Sequence, residues 1–142
     1  MKRFFFLFGI VLSLCGGLAV AEDRFYVIVN GANSVSSMED REVSKLFLKK
    51  SVMWPNGQPV VPVDQSERSS VREVFSKEIH GKTTSSLQAY WQQQIFSGRN
   101  IPPPEKGSDG EVIAFVKANP NAIGYVSAQP SDAGVKVLKV IH

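Results

Sequence analysis

Residues 60–75 read Val60-Val61-Pro62-Val63-Asp64-Gln65-Ser66-Glu67-Arg68-Ser69-Ser70-Val71-Arg72-Glu73-Val74-Phe75 and change character twice. Val60, Val61 and Val63 are β-branched and bounded by Pro59 and Asp64, the pattern of a short buried strand. Val71, Val74, Phe75 and Ile79 then fall on one face of a helix, at spacings of three, four and eight. Between strand and helix lies a polar loop, Asp64 to Ser70, rich in hydroxyls and carrying Arg68. A loop that leaves the carboxyl end of a strand and opens a helix is where α/β proteins place anion sites, because the first amides of the helix have no partner within it.

Outward from this unit, the chain alternates strand-like and helix-like segments. Phe25 to Val29 is an apolar run ending at the turn dipeptide Asn30-Gly31, read as a buried strand of the parallel type. Ser36 to Glu39 fits a capping box, predicting a helix from about Ser37 to Leu48 with Val43, Leu46 and Phe47 inward. Trp54-Pro55-Asn56-Gly57 is a turn, with Trp54 expected to be the more exposed of the two tryptophans. Further boxes at Ser70, Ser85 and Ser108 predict three more helices, the second with Leu87, Tyr90, Trp91 and Ile95 on one face. Gly81 is expected to close the central helix in a left-handed cap. Ile101 to Pro104 reads as an extended connection, and Ala122 to Ser127 and Val135 to Ile141 as closing strands. The expected class is α/β, a mixed, mostly parallel sheet flanked by about four helices.

The start of the chain reads as an export signal. Met1-Lys2-Arg3, an apolar run from Phe4 to Leu14, and Ala19-Val20-Ala21 predict a secretory leader over 1–21 and one domain over 22–142. The competing lipoprotein reading needs a small residue before Cys15, where Leu14 stands. Removal of Lys2 and Arg3 lowers the formal charge from +3 to +1, which leaves no basic block for nucleic acid. Cys15, the single cysteine, would leave with the leader, so neither disulfides nor thiol chemistry are expected after cleavage.

The loop after the central strand is the candidate site. Ser66, Ser69 and Ser70 offer hydroxyls, Arg68 a guanidinium able to bind an oxyanion through two bonds, and the helix start its free amides. The plainer reading is that Ser70 caps the helix and Arg68 pairs with a neighbouring acid. Two acids, Asp64 and Glu67, would repel an anion if they faced it. No nucleophile elbow and no metal-ligand spacing occurs, and His80 reads as a helix C-terminal residue favoured by the dipole, so no enzyme activity, cofactor or metal is expected.

Three quoted stretches carry a family resemblance: VSKLFLKKSVMWPNGQPVVPVDQ, SSVREVFSKEIHGKTTSSLQAYWQQQIFSGR and EVIAFVKANPNAIGYVS. Together they resemble small exported phosphate-binding-protein-like domains, and thereby part of the substrate-binding component of phosphate ABC transporters. The resemblance implies a single lobe of the type II periplasmic-binding-protein-like fold, and a periplasmic location after cleavage near Ala21. It implies phosphate or a related oxyanion as ligand, with a membrane permease or sensor as partner; the alternative is an accessory module that docks on a partner without ligand. The family's loop begins with an arginine where Gln65 stands. Ser66 and Ser69 match its serines, and Arg68 becomes the candidate guanidinium.

Overall fold

The computed structural model describes residues 24–142; the expected leader and Cys15 lie outside the described residues. The centre is a four-stranded sheet in which β3 (Val61–Pro62), β6 (Ala122–Val126), β1 (Tyr26–Asn30) and β7 (Val135–Val137) lie side by side in that order. β3 runs parallel to β6, whereas β1 is antiparallel to both β6 and β7. Three strands therefore point one way and β1 opposes them. The apolar run of β1 does report burial on both faces, but its direction departs from the parallel reading because hydrophobicity carries no information about direction.

Alternation along the inner strands divides the core into two layers. Val27, Val29, Ile123 and Tyr125 face one side, where they meet Phe47 and Phe75. Ile28, Ala122 and Val126 face the other, against Val63, Val112 and Val116. The first layer is covered by α1 (Asp40–Phe47) and α2 (Ser70–Phe75), the second by α4 (Asp109–Ala118). Burying side chains of this size contributes about 1.5–3 kcal/mol each. At Gly124, α4 and Val63, the residue after β3, press closely on β6. A Cβ there would lie 2.7 Å from Val112 Cγ1 and 2.8 Å from Val63 Cγ1.

α2 continues directly into a π-helical turn, Ser76–His80, and ends at Gly81 with φ of 63°, the left-handed cap its sequence announced. α3 (Thr84–Phe96) lies outside these layers, held by Leu87 and Trp91 against Leu48 and by the Tyr90 hydroxyl donating to Leu48 O at 2.9 Å. Ile95, expected inward on α3, is exposed. Trp54 is as buried as Trp91, its indole N–H donating to Asn121 O at 3.0 Å, so the expected difference between the tryptophans is absent.

Two N-terminal expectations shift for a common reason. Ser37–Glu39 is β2, which pairs in parallel with β8 (Lys139–Ile141), and α1 begins only at Asp40. The serine-to-glutamate spacing there is compatible with a cap, but the tail of the chain offers a strand partner instead. Likewise α3 is capped by Thr83, whose hydroxyl accepts from Ser86 N, rather than by Ser85. At Ser108 the cap does form, with Ser108 Oγ accepting from Glu111 N, but the Glu111 side chain accepts from Gly107 N and not from the Ser108 amide, so the box is half made. The closing segment is two strands, not one. Leu138 donates its amide to Val27 O at 2.8 Å and is buried, and beyond it the chain leaves β1 for β2.

Candidate functional site

After β3 the chain shifts partners. Val63 N donates to Ile123 O, Asp64 N to Pro104 O, and Asp64–Gln65 becomes β4, parallel to β5 (Glu105–Lys106). This step opens a gap between the carboxyl ends of β4, β5 and β6. Ser66, Arg68, Ser69 and Ser70 all line the resulting open hollow of about 740 Å³, together with Ser108, Asp109 and Ser127. The four residues singled out in the sequence are thus brought to one place, beside the first turns of α2 and α4.

Their individual roles differ from simple capping. Ser69, not Ser70, is the residue preceding α2, and its hydroxyl does not cap the helix. It donates instead to Gln65 Oε1 at 2.9 Å. Ser70 is the first helical residue and exposed. Ser66 Oγ accepts the Arg68 amide at 3.4 Å, and the Arg68 side chain is exposed at the rim. The amides of Ser70 and Val71 begin the helix and have no carbonyl a turn earlier within it.

Both acids of the loop turn away from the hollow. Glu67 accepts from Gln88 Nε2 on α3. Asp64 lies beneath the loop, where it accepts from the Tyr125 hydroxyl and from Gln65 N. Burial pushes its carboxyl up, against the pull of Arg72 and of those hydrogen bonds. Arg72, in the first turn of α2, is 4% exposed and spans the floor. Its Nη1 donates to Gln65 O at 2.9 Å and to Glu105 Oε1. Its Nε lies 3.8 Å from Asp64 Oδ1, close enough for charge attraction but not for a hydrogen bond. Burial also pushes the Tyr125 hydroxyl up, and Tyr125 stacks on Phe75 with ring centroids 3.8 Å apart. The buried guanidinium thus holds the loop by its carbonyl from below.

Three residues of the hollow were not foreseen as site residues: Gln65, Asp109 and Ser127. Asp109 Oδ1 accepts from Gln65 Nε2 at 2.8 Å, and Ser127 donates through its amide at 3.0 Å and its hydroxyl at 2.6 Å. Burial works to raise the Asp109 carboxyl, but the hydrogen bonds from Ser127 and Gln65 outweigh it and hold the group below its ordinary range. The second Gln65 Nε2 bond goes to Tyr125 O at 3.0 Å, so one glutamine amide joins β4, β6 and α4. The sequence marked Asp109 only as part of a helix start and Ser127 only as a strand end.

The hollow consequently has two tiers. The outer tier holds the Ser66 and Ser70 hydroxyls, the opening amides of α2 and the Arg68 guanidinium. The inner tier, at the ends of β4 and β6, holds the buried Gln65 and the exposed Ser127, whose donors already meet a carboxylate. A second hollow of about 820 Å³, among Arg24, Tyr26, Lys77, Glu78, Val137 and His142, has walls of mixed polarity and no comparable convergence of hydroxyls with helix-opening amides. His80 does stand at the helix end, but its surroundings disfavour the charged form. Its Nδ1 lies 2.7 Å from Ser44 Oγ, and burial, then Arg72, Lys50 and Lys82, lower its pKa to about 4. Among the described residues, no group of three or more His, Cys, Asp or Glu is placed to hold a metal ion, and no helix is long and apolar enough to cross a membrane.

No family model and no curated protein matches the chain in sequence. Solved structures do match it in fold. A protein assigned as a phosphate ABC transporter substrate-binding protein from Clostridium perfringens, solved with bound phosphate, superposes with a TM-score of 0.67 at 22% identity, over 82% of this chain and 44% of that one. An ABC-type phosphate transport receptor from Vibrio cholerae gives a TM-score of 0.64 at 17% identity, over 82% and 45%. PstS from Borrelia burgdorferi gives 0.65 at 16% identity, over 83% and 47%. The chain thus has the fold of one lobe of these proteins and spans less than half of their length.

Proposed function

We propose that this chain is a solute-binding module of the cell envelope that seats phosphate or a related oxyanion at Ser66, Arg68 and Ser70, with Ser69 beside them tied to Gln65, in the service of ABC-type transport or of sensing. The observation that carries this reading is the convergence of those four residues on one open hollow at the start of α2, with both neighbouring acids turned away. Neutral hydroxyls, helix-opening amides and one exposed guanidinium are the donors that an oxyanion takes. The fold supports the same reading, since the structures it matches are named for phosphate transport and one holds phosphate.

A seat formed by one lobe leaves the far side of the anion in water. We therefore expect weak binding by the isolated chain and tighter binding when a second body, such as a permease or sensor domain, closes over it. The leader over 1–21 would deliver the module to the periplasm. Calorimetry of the purified protein with phosphate and with sulfate tests the proposal. Saturable heat that Arg68→Ala abolishes supports it; no heat at millimolar phosphate sinks it. The second reading, an accessory module that docks on a membrane partner without ligand, is favoured by a separate observation. Asp109 already takes the inner donors, as expected of a lobe that has given up capture.

A further inference from the structure

We propose that the Asp109 carboxylate is a built-in occupant of the inner tier, an intramolecular contact that shuts a latent anion seat formed by Gln65 Nε2 and by the amide and hydroxyl of Ser127. The proposal deepens the oxyanion reading of the hollow, and rests on it only for the outer tier. Three neutral donors from the ends of β4 and β6 converge on one carboxylate at 2.6 to 3.0 Å. Such convergence is the arrangement by which proteins hold a free carboxylate or oxyanion. Here the anion arrives on the first residue of α4.

That helix does not need Asp109 to begin. Ser108 Oγ already caps it by accepting from Glu111 N, and Val112 and Val116 anchor it in the core. Gln65 is fixed independently of Asp109 by its bonds to Tyr125 O and to the Ser69 hydroxyl. The seat therefore has its own scaffold, and the side chain at 109 only fills it. A free anion reaches the outer donors but finds the inner ones taken and a fixed negative charge behind them. An anion can enter the inner tier only after Asp109 leaves, for instance if a partner draws α4 back from the end of β6.

Truncation of the side chain tests this directly. Asp109→Ala empties the seat and leaves its donors without an acceptor, and the probe is formate, which has the same carboxylate geometry. Asp109→Ala is expected to bind formate at least about tenfold more tightly than the unsubstituted protein, because hydrogen bonds to a charged acceptor outweigh those to water. Asp109→Asn keeps the seat filled and is expected to show no gain. Equal affinity for formate in Asp109→Ala and the unsubstituted protein overturns the proposal, as does an equal gain in Asp109→Asn, which would make charge alone the cause. If Asp109→Ala is unfolded, refolding by formate but not by chloride supports the proposal, and failure to refold counts against it. Phosphate binding that is lost in Arg68→Ala reports on the outer tier separately. A formate gain that survives Arg68→Ala upholds the inner seat even where the outer reading fails.

Discussion

The loop joining β4 to α2 has two faces that behave as different materials. Its inner face, through Asp64 and Arg72 with Tyr125 and Phe75 beneath, is buried, charged and cross-linked, with the exposed Glu105 pairing Arg72 from the edge. Its outer face, through Ser66, Arg68 and Ser70, is wet and lightly bonded. Both are drawn from the same short run of residues, so position relative to the sheet, and not residue type, decides which side chains carry stability and which stay free for a ligand. An arginine appears on each face. Arg72 is confined by three oxygens while Arg68 extends into solvent, and only the second can serve as a donor to something outside the chain.

Substitutions can break or sharpen this contrast. The largest effect is expected at Phe75, which touches the rings of Phe25, Phe47, Tyr125 and His80. Phe75→Ala should lose about 3–5 kcal/mol in urea unfolding; a loss below about 1 kcal/mol would mean that the inner face is not the structural one. Arg72→Ala should cost roughly 3 kcal/mol because it leaves Asp64 as a buried charge without its partner. Adding Asp64→Asn should recover part of that loss, and the double-variant cycle measures how much. Gly124→Ala should cost about 1–3 kcal/mol through its close approach to Val112 and Val63.

The pH dependence is a smaller effect and comes from the end of the same buried helix. His80 has a folded pKa of about 4 against an ordinary 6.5, so the unfolded chain binds the extra proton between those values. Stability from this group is complete above about pH 6.5, falls as pH drops towards 4, and levels off below. Asp64, raised in the fold, acts in the opposite sense as pH falls through the carboxylate range. Unfolding midpoints from pH 7 to pH 4 should therefore decline by roughly 1–3 kcal/mol, and His80→Gln should flatten the decline; an unchanged slope in that variant would refute the assignment. The smallest effect on stability is expected at Arg68. Arg68→Ala should stay within about 0.5 kcal/mol of the parent while removing anion binding. A large loss of stability there would erase the distinction between the faces.

Much of this was readable from the residues in order. Val61 to Val63 announced a buried strand, Val71 and Phe75 the inner face of α2, Gly81 its left-handed stop, and Ser108 a cap that forms. What failed had a shared physical origin. Ser36 and Ser85 have the spacing of a cap, but a cap is a local preference of about 1 kcal/mol, and strand pairing with the distant β8 or a nearer threonine overrides it. The antiparallel setting of β1 was invisible because burial on both faces looks alike in either direction.

At the candidate site, the composition of one loop pointed to Ser66, Arg68, Ser69 and Ser70, which the fold brings to one hollow, since hydroxyls and a cation at a helix start are local facts. The roles of Gln65, Asp109 and Ser127 were not local. They depend on strands β4 and β6 ending, and helix α4 beginning, at the same spot, although the residues lie 44 and 18 positions apart in pairs. Hydrophobic periodicity and turn chemistry act between near neighbours, so the order of residues alone determined the elements and the polar loop. Convergence of side chains across the sheet exists only once the chain has closed on itself. That closure decided which arginine is buried, which acids turn away, and which carboxylate fills the inner seat.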